Sequence, residues 1–182
     1  VHGLTSFGDF TYNRRRKMMA LLPVGRKIAY HLFAIEDQKG ISLKRAAKCS
    51  EKQKMRISGL DIDSTGKIIG SIDESGNLDV FDVDTHSILH QKNFQTNSYG
   101  VSNRCRWSTF DSNTLYVKYN GFYFNAYDME KKASILKTSL SAPGNLWWID
   151  VCPTDGNLVA TSFEKTILIY DHRTGNIERN CG

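Results

Sequence analysis

Residues 158–171 read Leu158-Val159-Ala160-Thr161-Ser162-Phe163-Glu164-Lys165-Thr166-Ile167-Leu168-Ile169-Tyr170-Asp171. Two short runs rich in apolar and β-branched residues flank a break at Glu164-Lys165, the pattern of an antiparallel hairpin. Upstream, Leu146 to Val151 and the turn Pro153-Thr154-Asp155-Gly156-Asn157 add a third run. Downstream, Arg173-Thr174-Gly175 leads into a fourth run, Asn176 to Arg179. Turns of two to five residues are too short for crossovers, so the four runs predict one antiparallel sheet.

The same order recurs. Ile57 to Ile62, the turn 63–67, Ile68 to Ile72, the turn 73–77 and Leu78 to Asp82 form an earlier copy, followed by Ser87-Ile88-Leu89-His90. Aromatic-Asp pairs close the third runs at Phe81-Asp82, Tyr127-Asp128 and Tyr170-Asp171, 46 and 43 positions apart. Ile28 to Glu36 is a weaker copy, with Glu36 standing 46 positions before Asp82. Four strands per unit at a period of about 43 is the signature of propeller blades. One twisted sheet cannot bury both faces, so neighbouring units must supply the missing apolar contact. The expected fold is therefore an all-β propeller spanning 1–182, with four-stranded antiparallel blades at about 1–49, 57–92, 100–139 and 146–182. The stretch 43–56 is expected to be a basic helix or a loop.

These units resemble the WD-repeat family. The resemblance rests on the turn Asp63-Ser64-Thr65-Gly66-Lys67, the strand Ile69-Gly70-Ser71-Ile72 and Phe81-Asp82. It rests equally on Pro153 to Asn157, Leu158 to Ser162 and Ile167 to Asp171. It is strong in two units, moderate over 100–139 and weak over 1–49. Phe81, Tyr127 and Tyr170 stand where the family carries Trp, and Tyr99-Gly100 is the nearest trace of its Gly-His pair. Family members mostly close with seven blades, so the resemblance implies a segment of a seven-bladed ring. A four-bladed ring, or an arc closed by pairing of two copies, is the alternative.

Composition is that of an ordinary folded domain: 182 residues, 40% apolar and 24% charged. No apolar run approaches the roughly 20 residues that cross a bilayer, and Met18 to Val24 is broken by Pro23. No secretory leader is visible. Cys49, Cys105, Cys152 and Cys181 form no C-x-x-C pair, so they are expected to be thiols of an intracellular protein, nuclear or cytoplasmic. The net charge of +5 is uneven. From Arg14 to Arg56, thirteen Lys or Arg face Glu36, Asp37 and Glu51, a local excess of +10, while the rest of the chain carries −5.

Catalytic and metal motifs are absent from the sequence. His2, His31, His86, His90 and His172 are scattered and read as solvated turn or strand residues. Asp63, Asp73, Asp84 and Asp155 read as turn caps. No enzyme activity, cofactor, metal or small-molecule substrate is expected; binding of other proteins is. Three features could carry it. Tyr170-Asp171-His172-Arg173 is similar to the Trp-Asp-x-Arg pattern of WD-repeat substrate receptors on cullin-RING ubiquitin ligases. That resemblance implies an Arg173 oriented by Asp171 to meet an adaptor. Arg104 and Arg106, with Trp147 as the presented member of the Trp147-Trp148 pair, are candidate anchors near the axial opening, and Trp107 and Trp148 read as filler between blades. Arg14, Arg15, Arg16 and Lys17 could neutralise nucleic-acid phosphates or hold an acidic protein; the 44–56 stretch lacks aromatic interleaving.

Overall fold

A computed structural model describes residues 7–23, 28–36, 40–48, 55–94, 103–111, 113–120, 123–139, 146–163 and 165–181. Among these there is no helix. Sixteen strands form four four-stranded antiparallel sheets. The first contains β1 (Phe7–Asn13), β2 (Met18–Pro23), β3 (Ile28–Glu36) and β4 (Gly40–Lys48). The second contains β5 (Ile57–Ile62), β6 (Ile68–Asp73), β7 (Asn77–Asp82) and β8 (Ile88–Asn93). The third contains β9 (Arg104–Trp107), β10 (Thr114–Tyr119), β11 (Tyr123–Asp128) and β12 (Ala133–Ser139). The fourth contains β13 (Leu146–Val151), β14 (Leu158–Phe163), β15 (Thr166–Asp171) and β16 (Asn176–Cys181). Each is a simple meander in chain order. Residues 43–48 are thus strand rather than helix or loop. Cys49, Tyr99-Gly100 and residues 51–54 lie outside the described residues.

The repeat is a repeat of backbone geometry. Four residues after Glu36, Asp82, Asp128 and Asp171, the chain takes positive φ at Gly40 (85°), His86 (60°), Lys132 (54°) and Gly175 (74°). Near each of these turns the register between third and fourth strands shifts, at Leu32/Phe33, Val80/Phe81, Ala126/Tyr127 and Ile169/Tyr170. A left-handed residue and a bulge give the hairpin its twist. Turn aspartates satisfy loose amides. Asp63 accepts from the amides of Thr65, Lys67 and Ile68, and Asp73 from those of Ser75 and Asn77. Asp155 accepts from the Asn157 amide. Asp84 departs from the expectation: Asp82 caps that turn, accepting from the amides of Asp84 and Thr85. Asp84 instead receives Arg16 of the first sheet.

Successive sheets pack face to face, which buries the apolar side of each. Ala20, Tyr30 and Leu32 meet Leu60, Ile69 and Phe81. Ile72, Leu78 and Val80 meet Trp107, Leu115 and Val117. Tyr116, Phe124 and Ala126 meet Ile149, Val159 and Tyr170. The histidines are the main correction to the sequence reading. One fastens each joint: Tyr30 with His86 Nδ1 at 3.0 Å, Tyr127 with His90 Nε2 at 3.0 Å, and Tyr116 with His172 Nδ1 at 2.5 Å. The Tyr116 hydroxyl also donates to the Gly156 carbonyl at 2.7 Å. A phenol has one proton to give, so His172 Nδ1–H donates to Tyr116.

Candidate functional site

First strands adjoin in order, β1 beside β5, β5 beside β9 and β9 beside β13. Their registers stack the side chains in two tiers. Thr11, Gly59, Arg104 and Trp148 pair with equivalent residues of the second strands and make one tier. Asn13, Asp61, Arg106 and Asp150 make the next. Gly59 is required: a Cβ there would lie 2.8 Å from Arg104 Cα.

Hydrogen bonds lock the tiers across the sheets. Asp61 accepts from the Thr11 hydroxyl at 2.6 Å and from the Trp107 amide at 2.8 Å, joining three sheets. Burial pushes the Asp61 carboxyl above its ordinary range, against the pull of Arg106. Asn13 donates to the carbonyls of Asp63 and Ser64. Arg106 Nη1 donates to the Leu60 and Cys105 carbonyls, each at 3.0 Å, and lies 3.6 Å from the Asp9 carboxylate. Arg104 reaches the same carboxylate at 3.9 Å. Both guanidiniums lie over the Trp148 ring, at 4.6 Å for Arg104 and 5.3 Å for Arg106, within cation–π reach.

The structure therefore brings Arg104, Arg106 and Trp148 together, with Trp148 41% exposed and Trp107 buried. Trp148 is not filler between sheets. The Trp147 side chain lies outside the described residues. Asp9 and Asp61 escaped the sequence reading; for Asp61 an acid inside the apolar run 57–62 was the available signal, since a strand facing only core has no place for one. An open depression of about 540 Å³ lies beside the tiers, lined by Phe10 to Arg15, Asp61 to Ser64, Arg106 to Thr109, Asp150 and Val151.

Two further sets lie on turns. Asp171 grips the Arg173 Nε at 3.1 Å and Nη2 at 2.5 Å, leaving the arginine side chain 58% exposed. Those bonds hold the Asp171 carboxyl down at about 2. In the β1–β2 turn, Arg16 is spent on structure: it donates to the Gly66 carbonyl and to Asp84, each at 2.9 Å. Arg14 and Arg15 are exposed, with no side-chain hydrogen bond or ion pair among the described residues, and Lys17 is exposed at positive φ. No cluster of His, Cys, Asp and Glu among the described residues suits a metal ion. The arrangement offers exposed arginine charge and an exposed aromatic face. No protein-family model matches the chain, and no curated protein matches it.

Proposed function

We propose that this chain is a segment of a WD-repeat-type β-propeller and serves as a non-enzymatic scaffold that joins proteins inside the cell, in nucleus or cytoplasm. Four blade-like sheets at a common repeat support the architecture. The observation that carries the function is the Asp171–Arg173 pair. A carboxylate fixes the guanidinium on a turn while most of the side chain faces outward, which makes an anchor for a partner's acidic or carbonyl groups. In the finer form of this reading, the partner is the adaptor of a cullin-RING ubiquitin ligase, and the chain presents substrates to it. Arg173→Glu reverses the anchor but also sets a second carboxylate beside the buried Asp171, so Arg173→Gln, which only removes the charge, accompanies it. Pull-down followed by mass spectrometry should show one partner lost while circular dichroism is unchanged. Retention of every partner would remove Arg173 from the mechanism.

A further inference from the structure

Lys132 sits in the β11–β12 turn at φ 54°, where the matching turns after β3 and β15 carry Gly40 and Gly175. A lysine strains that backbone and a glycine does not. The side chain is exposed, with no hydrogen bond or ion pair among the described residues to offset the strain. Strain kept without a return inside the fold points to a use outside it. From the same turn position in the second sheet, His86 reaches back to Tyr30 of the first. Lys132 reaches back likewise, toward His90 of β8. Burial first, then the charges of Lys132 and Lys92, lower the pKa of His90, so both ammoniums stand near its ring.

Proton placement completes the set. The Tyr127 hydroxyl meets His90 Nε2 at 3.0 Å and has no other partner among the described residues. The phenol proton therefore goes to Nε2, and the imidazole's own proton sits on Nδ1. Lys92 Nζ lies 5.9 Å from the centroid of the same phenol ring. We propose that His90 Nδ1–H and the Lys92 and Lys132 ammoniums bind a phosphate monoester carried on a protein segment. A dianion with three strong acceptor oxygens matches three converging donors. Nearby carboxylates do not fill the site. Asp128 is held by Lys131 at 3.1 Å, and Glu130 is exposed on the turn. Lys92, Lys131 and Lys132 outnumber those two acids before His90 counts. The strand beside the site favours a peptide over a free ion. β8 ends its sheet, so no described strand pairs with its outer edge, and Leu89 is exposed there. An extended segment added along β8 would carry a phosphorylated side chain past His90 and Lys92. The second and third sheets are each packed on both faces, so this outer surface stays open in a longer arc or a closed ring. The site is independent of any capture through Arg173.

The test is fluorescence anisotropy on the full chain with a labelled threonine-rich nonapeptide carrying one phosphoserine, beside its unphosphorylated twin and with inorganic phosphate as competitor. The phosphopeptide should bind, less tightly as salt rises, and the twin should bind roughly a hundredfold more weakly. In NMR titrations the His90 ring protons should shift on binding and the His90 pKa should rise, because the dianion opposes Lys92 and Lys132 while the Tyr127 phenol stays in place. Lys92→Gln and Lys132→Gly should each weaken binding roughly tenfold. Lys132→Gly should do so while melting no lower than wild type, a split that a purely structural lysine would not give. Four results overturn the proposal. One is no anisotropy change and no His90 shift with the phosphopeptide at low salt. Another is equal affinity for the unphosphorylated twin. A third is wild-type binding by both lysine variants. The last is inorganic phosphate displacing the peptide at equal concentration, which reassigns the site to a small free phosphate.

Discussion

Lys118 is 1% exposed, at the register position that Ala20, Ile72 and Ser162 occupy in the other sheets. Burial, with Arg104 nearby as a lesser cause, pulls its ammonium from 10.5 down to about 8. Its folded-state value lies below its unfolded one. Under pH 8 both states carry the proton and the fold bears the full burden of a desolvated cation. As pH rises from 8 to 10.5 the folded state releases its proton first, so stability climbs through that window. The climb amounts to ~3 kcal/mol when the whole shift is expressed in the fold. Lys118→Met keeps the aliphatic stem and removes the charge. Urea unfolding of both proteins at intervals between pH 7 and 10.5 should show the wild-type curve rising relative to the variant. Tyrosines, cysteines and other lysines titrate in both proteins and cancel in the difference. Because Lys118 also has a partner in the fold, the pH dependence is diagnostic rather than the absolute offset. A constant difference across the window would refute the reasoning.

Gly59→Ala should destabilise the chain by about 1–3 kcal/mol in urea melts, because its Cβ meets backbone. Gly70→Ala is the contrast: its Cβ would sit 3.6 Å from Leu115 and Trp107 side-chain atoms, an ordinary contact, so it should be tolerated. Tyr116→Phe should cost about 1–3 kcal/mol, since it strands the Gly156 carbonyl and the His172 Nδ1–H together. Burial lowers the pKa of His90 and of His172. Both are histidines held neutral, so their contribution is complete above about pH 6.5 and fades as pH falls below it. Thermal melts from pH 7.5 to 5 should show a decline that the double variant His90→Gln/His172→Gln flattens.

The sheets were legible because inner strands alternate around Gly and Asp turns, and those turns carry their own hydrogen bonds. Outer strands were harder to read. All of β16 is exposed, and β8 is exposed or half-buried, so no core enforces alternation there. The same holds where β4 exposes Ile41, Leu43 and Lys44, which made its basic end look like helix or loop. The sequence reading presented Trp147 and buried Trp148, whereas Trp148 is exposed. The register shifts between Leu146 and Trp148, and a bulge resets the phase on which that inference depends. The histidine bonds were beyond local reading altogether. Tyr30 and His86 are 56 residues apart, and only the packing of two sheets brings them together.

His86 stands where two demands collide. Its left-handed backbone suits glycine, as Gly40 and Gly175 show at the matching turns, yet its imidazole is the clasp on Tyr30. A glycine there would relax the chain by about 1 kcal/mol and let go of the neighbouring sheet. Lys132 shares the contorted backbone but clasps no neighbouring sheet among the described residues, so one corner of this molecule can relax to glycine while the other must stay bent.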